Sequence, residues 1–324
     1  MNFFTKFILV SVLTISAAGA WEPAKPIKVI VGNAPGSGNE LAIRAIGSII
    51  EKTNPNVTFL VEHHPGMDGI VGMNYFAKQK ADGYTIMVAT AETSFITAPT
   101  ISGSHINPGA DPDNYVPVAM LGRSSSGFVV PMNSPIKTLP ELLENLRNTK
   151  QKINIGTGGS ANLLIYKYLI NNLNIDKERV QLIPYNSPMA ATIAAGAGDI
   201  DLAIVTVSSV KSLIGTKVRL LAISGGNKID SLDRVPLIKD FIPGLVWDSS
   251  WVVFLPPNTP QEVRNWYNKQ FKTALESAAA KKYFNDNWAV IDERTITSAG
   301  LTADIVLLKK KWLPIAKTVL VDNK

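Results

Sequence analysis

The chain of 324 residues contains no cysteine, which excludes disulfides, a cysteine nucleophile and a lipid attached to a processed cysteine. Histidine is scarce: His63, His64 and His105 are the only three, and they are not spaced on one helical face as zinc ligands would be. Catalytic signatures are missing as well. There is no Gly-x-Ser-x-Gly elbow, no Walker lysine and no Gly-x-Gly-x-x-Gly opening the first helical segment, so neither an enzyme nor a cofactor or metal site is expected. Beyond the N-terminus no segment approaches the ~18 uninterrupted apolar residues of a membrane span. Dense positive charge is also rare. The formal net charge is +6, but its one run, Lys309-Lys310-Lys311, sits within a helical pattern of Ile305, Leu307, Leu308, Trp312 and Ile315 and reads as a solvated face. Nucleic-acid binding is therefore not expected.

The first residues combine Lys6, an apolar run from Phe7 to Ile15 and the small residues Ser16-Ala17-Ala18-Gly19-Ala20. This is the pattern of a cleavable secretory signal over residues 1–20, with Trp21 as the new N-terminus and an extracytoplasmic destination. What remains is long enough for two domains.

Strand and helix patterns then alternate. Ile27 to Val31 is a short apolar run that ends in Gly32-Asn33-Ala34-Pro35-Gly36-Ser37-Gly38, and helical spacing follows through Ala42, Ala45, Ile46, Ile49 and Ile50, with Asn39 as the expected N-cap. Thr58 to Val61, a loop over 63–69, and a helix from Ile70 to Lys80 repeat the order, and Tyr84 to Ala89 is the next strand. A second series runs from Phe128-Val129-Val130, where the chain crosses between lobes, through strands at 152–155, 180–183, 202–205 and 219–223, with helices between them. Trp251 to Leu255 reads as a return strand, followed by helices to about Leu275 and over 299–319. Such alternation predicts an α/β fold of two lobes, each a mainly parallel sheet flanked by helices. The expected division is 21–124 for the first part of lobe one, 125–245 for lobe two, and 246–324 for the return to lobe one.

Both series contain a glycine loop that runs into a helix: Pro35-Gly36-Ser37-Gly38-Asn39 and Thr157-Gly158-Gly159-Ser160. Backbone N–H groups at such a junction converge on one anion, helped by the positive end of the helix dipole. Either loop alone is equally explained by the turn its junction needs. A matched pair facing one cleft favours capture of a carboxylate, because ligands bind at the carboxyl ends of strands in such sheets. Glu62 and Glu92 read as solvated or capping acids. Trp21, Tyr75, Phe95, Tyr185 and Trp247 are candidate cleft aromatics, although packing is the more ready explanation of any one of them. Tyr185 and Trp247 stand out among them, Tyr185 because it ends a strand just before Asn186-Ser187-Pro188 and Trp247 because it lies near the return crossover.

The ordered segments Pro26 to Val31 with Ala34-Pro35-Gly36, Val61-Glu62 with Pro65-Gly66 and Gly69, Ala81-Asp82-Gly83-Tyr84-Thr85, Ile183-Pro184-Tyr185 and Gly198 to Leu202 resemble the solute receptors of tripartite tricarboxylate transporters, also known as the Bug family. Val235-Pro236-Leu237, Pro243-Gly244, Ser250-Trp251 and Pro256 to Pro260 extend the resemblance over nearly the whole mature chain. It implies a periplasmic Venus flytrap that holds a carboxylate between loops of both lobes and delivers it to integral-membrane permease subunits. Carried over position by position, the binding loops are Pro35 to Glu40, Ala91-Glu92-Thr93-Ser94 and Thr157 to Ser160, with Tyr185 on the distal wall and Thr206 where many members have an acid-bearing Phe-Asp. Ser37 replaces the family's second glycine, Glu40 its aspartate, Leu163 its histidine, and Asn186-Ser187 its Lys-Gly. A monomer with a small organic carboxylate ligand is expected. A sensor for a membrane kinase and a secreted hydrolase or transferase remain the rival readings.

Overall fold

Ile27–Val31 forms a strand (β1) buried at nearly every position, as a strand covered on both faces should be. In this computed structural model residues 21–102, 106, 107, 110–148, 150–173 and 175–321 are described; the expected signal over residues 1–20 and His105 lie outside them. β1 pairs in parallel with β2 (Phe59–His63) on one side and β3 (Thr85–Thr90) on the other. The second lobe repeats the arrangement, with β5 (Ile153–Gly158) between β6 (Val180–Tyr185) and β7 (Leu202–Thr206), all parallel.

Antiparallel strands join the two trios. β4 (Val116–Pro131) pairs with β9 (Asp248–Leu255) along its first part, then with β7 and β8 (Val218–Ile223), and β9 pairs with β3. The order is β2-β1-β3-β9-β4-β7-β5-β6, with β8 also on β4. The crossing is far longer than the Phe128-Val129-Val130 run suggests. Apolar residues at 118–121 anchor β4 in one lobe and 128–130 in the other. Between them three buried serines find partners: Ser124 Oγ donates to the Trp288 carbonyl, Ser125 Oγ to Asp248 and Ser126 Oγ to Asn162. Each of these hydroxyls would be costly to bury unpaired, so the strand continues through the polar stretch.

Helices cover both faces. α1 (Gly38–Thr53), α2 (Ile70–Phe76), α8 (Gln261–Glu276) and α9 (Ala278–Asp286) flank the first lobe; α4 (Leu139–Asn148), α5 (Ser160–Asn172) and α6 (Pro188–Ala197) flank the second. Short helices lie at α3 (Ala98–Ser102) and α7 (Val207–Val210), the latter continued by a single 3-10 turn over Lys211–Leu213. α2 ends at Phe76 instead of running to Lys80. α9 is a separate helix because the Ser277 hydroxyl accepts the Ala280 N–H and caps a new start.

The terminal helix, α10 (Ser298–Val321), packs on α3 and on α5. Its Trp312 meets Trp247 edge-on at 4.7 Å and Tyr168 of α5 at 5.7 Å, so it rests on both lobes. Trp21, among Tyr84, Trp266 and Tyr267, and Phe95, on Phe254, are packing residues like Trp247. Full burial of each such side chain contributes about 1.5–3 kcal/mol.

Candidate functional site

The carboxyl ends of β1, β3, β5, β6 and β7 converge between the lobes on a cavity of about 130 Å³. Asn33 and Ser37 follow β1, Asp68 follows β2, Thr90 and Thr93 mark the end of β3, and Gly158 to Asn162 stand at the β5–α5 junction. Asn186, Pro188, Thr206 and Ser209 complete the second-lobe wall, and Ser249 and Trp251 of β9 close the base. No lysine, arginine or histidine is among these lining residues. An anion here would be held by N–H and O–H dipoles.

Two helix starts face the cavity. At α1 the N-cap is Ser37, displacing the expected Asn39, and its hydroxyl makes no capping bond. Ser37 Oγ is buried without a hydrogen-bond partner among the described residues. The Asn39 side chain is used elsewhere: it donates to Asn33 Oδ1 at 2.7 Å and accepts from Thr90 Oγ1 at 3.0 Å. Gly38 must be a glycine, since a Cβ there would lie 2.6 Å from the Trp251 ring. Behind the loop, Glu40 accepts the Gly36 N–H at 2.7 Å and Arg44 Nε at 2.6 Å, with His63 Nε2 at 3.1 Å. Burial raises the Glu40 pKa, but these three partners outweigh it and hold the carboxyl below its ordinary value. Glu40 therefore stiffens the loop from outside the cavity.

At α5 the N-cap is Gly159, in a backbone conformation (φ 87) that side chains rarely adopt. Here the helix start is already occupied. Asp68, from the other lobe, accepts the Ser160 N–H at 3.2 Å and the Ser160 hydroxyl, and Thr97 Oγ1 lies 2.6 Å from Ser160 Oγ. These bonds tie the lobes together across the cleft. Asn162 fixes the same turn by donating to the Gly158 carbonyl at 2.6 Å.

Of the residues expected from sequence, Ser37, Gly38, Asn39, Thr93, Gly158, Gly159, Ser160 and Thr206 line the cavity. Thr157 and Tyr185 line an adjoining groove with Gly159, Ser160 and Leu163, and Ser94 a small void beneath Asp68. Pro35, Gly36 and Ala91 line none of the three. Glu92 is turned into the protein: its carboxyl accepts the Ser250 N–H and the Ser250 hydroxyl, each at 2.8 Å. Burial pushes its pKa up to about 7 despite these bonds. The chain from Ala91 to Ser102 is helical with a wide turn at Thr93–Thr97, which lifts Thr93 to the cavity and sends Glu92 to β9. Sequence reasoning missed the other ten lining residues, among them Asn33, Asp68, Asn186, Ser249 and Trp251. A usable signal existed for two of these: Asn33 and Asn186 are among the first polar residues after apolar strands whose ends share one cleft.

The described helices include none long and apolar enough to cross a membrane, and no group of acidic or histidine side chains among the described residues could hold a metal ion. The chain is 26% identical over 264 residues to a UPF0065 protein from the tcbD-tcbE intergenic region of Pseudomonas sp., covering 78% of this chain and 74% of that one. It is 23% identical over 270 residues to protein BugT of Bordetella pertussis, covering 81% and 80%. The fold matches the periplasmic binding protein BugD with a TM-score of 0.80 at 20% identity, over 93% of this chain and 99% of that one. It also matches an R. palustris protein with adipate (TM-score 0.82, 20% identity, 92% and 98% covered) and MatC of Rhodopseudomonas palustris with bound malate (0.78, 20%, 91% and 100%). The family model described as tripartite tricarboxylate transporter family receptor matches residues 54–306. With more than half its length matched, the chain belongs to the tripartite tricarboxylate transporter receptor family, whose members are receptors and not enzymes.

Proposed function

We propose that this chain is a periplasmic receptor that closes on a small organic carboxylate and hands it to the integral-membrane permease subunits of a tripartite transporter. The observation that carries the reading is Ser37 Oγ, buried and unpartnered at the start of α1, on a cavity at the carboxyl ends of two sheets. A ligand carboxylate at that point would take the free N–H groups of the first helical turn and the Ser37 hydroxyl, and each charge-assisted bond contributes about 1.5–3 kcal/mol. Three such bonds, less the cost of ordering, suffice for capture at roughly micromolar concentration. The adipate and malate in the neighbouring structures agree with a carboxylate ligand.

Residues 1–20 serve as the export signal, and the lobes divide at 124/125 and 245/246. In support, β4 exchanges β9 for β7 between Ser125 and Ser126, beside the start of β9. Ligand binding then stabilises the closed population. Titration calorimetry against a panel of aliphatic and aromatic carboxylates tests the reading. Binding by at least one class is expected, and silence toward all of them at millimolar concentration would discard it.

A further inference from the structure

We propose that Asp68 sets the charge of the ligand, so that the cleft takes a carboxylate with a single negative charge and an uncharged donor group, such as an amide, at its far end, in preference to a dicarboxylate. The inference rests on the receptor reading above and concerns which member of the carboxylate class fits. Two helix starts face the cavity, and one already holds a carboxylate of the protein's own: Asp68 Oδ2 takes both the N–H and the hydroxyl of Ser160. The other start, at α1, has an uncapped turn and the buried, unpartnered Ser37 hydroxyl. One anion position is therefore open. A second ligand carboxylate would meet Asp68, and no lysine, arginine or histidine lines the cavity to offset the repulsion. An amide at that end would instead donate to Asp68 Oδ1, which makes no hydrogen bond among the described residues.

Asp68 is held for this position at a cost. It has φ 55 and ψ 39, Met67 before it has φ 47, and both are left-handed conformations that side chains disfavour. Such strain persists where the surroundings overdetermine it, and here they do so by aiming the carboxylate across the cleft.

The experiment compares diacids with their monoamides, matched in shape: succinate with succinamate, glutarate with glutaramate, adipate with adipamate, terephthalate with terephthalamate. Calorimetry is run on the wild-type protein, Asp68→Asn and Asp68→Gly, with thermal melts to verify folding. Asparagine and glycine both tolerate the left-handed backbone, so either variant should fold. The wild type is expected to bind the best monoamide at least about tenfold more tightly than its diacid. In Asp68→Gly, which frees the α5 start, diacid affinity is expected to rise about tenfold while monoamide affinity falls, because the amide loses its acceptor at Asp68 Oδ1. Asp68→Asn should shift in the same direction. A wild type that binds diacids as well as monoamides overturns the proposal, as do variants that change both ligands equally, because Asp68 would then only tie the lobes. Silence toward every pair while another carboxylate of the wider panel binds removes the proposal and leaves the receptor reading intact. Silence toward the whole panel removes both.

Discussion

Glu92 makes the stability of this protein fall as pH rises from 4.5 to about 7. The carboxyl is buried, accepts two bonds from Ser250, and has its pKa raised by burial from the ordinary 4.5 to about 7. In the unfolded chain it loses its proton near 4.5; in the folded protein it keeps that proton up to about 7. Between these values the folded state binds one more proton than the unfolded state, so stability is greatest below 4.5, declines through the interval and levels off above 7. At about 1.4 kcal/mol per pH unit the interval amounts to roughly 3 kcal/mol. Glu92→Gln imitates the protonated form, since its amide oxygen can accept the Ser250 N–H while its NH2 donates to the Ser250 hydroxyl. Urea unfolding followed by circular dichroism, across this range at constant ionic strength, should show the variant more stable than the wild type by roughly 3 kcal/mol at about pH 8 and similar to it near pH 4.5. Burial also raises the Asp248 pKa, which adds a slope of the same sign to both proteins and cancels in the difference. Parallel curves, or a variant less stable at alkaline pH, would refute the reasoning: the charged carboxylate would then be better stabilised by Ser250 and the nearby Arg123 than burial penalises it.

Two substitutions test the cavity. Ser37→Ala should weaken carboxylate binding by about 1.5–3 kcal/mol in calorimetry. Its melting temperature should hardly change, because the hydroxyl has no partner to lose in the free protein. Gly38→Ala places a Cβ 2.6 Å from the Trp251 ring, and the resulting overpacking should cost about 1–3 kcal/mol in denaturant unfolding and weaken binding as well.

Sequence patterning made β1, β3 and β7 legible because each is an apolar run closed by small or polar residues, whereas β5 runs past the expected end at Ile155 through Gly156-Thr157-Gly158. The joining of the lobes was harder to read. β4 passes through Gly122, Ser124-Ser125-Ser126 and Gly127, which look like a loop until Trp288, Asp248 and Asn162 arrive from elsewhere to satisfy the serines. The two glycine loops announced themselves through composition, and eight of the fifteen expected site residues line the cavity. Glu92 went astray because the wide turn after β3 reverses which side chains face the cleft. Asp68 was hidden for a different reason. Met67-Asp68-Gly69 reads as a turn, and only the folded backbone shows that its aspartate caps a helix in the other lobe. Ser249 and Trp251 belong to a strand whose inner face is fixed by pairing with β3 and β4, which no local pattern encodes.

Trp251 is one of six tryptophans in the chain, and it lines the cavity, lying against the first residue of α1 and stacking near Phe284 with ring centroids 6.2 Å apart. A solute bound beside Ser37, as proposed, would lie against this indole, whereas Trp247 and Trp312 pack on each other away from the cavity. Under that proposal occupancy should change tryptophan emission, an optical gauge in the protein's own wall by which cargo could be followed without attaching a dye.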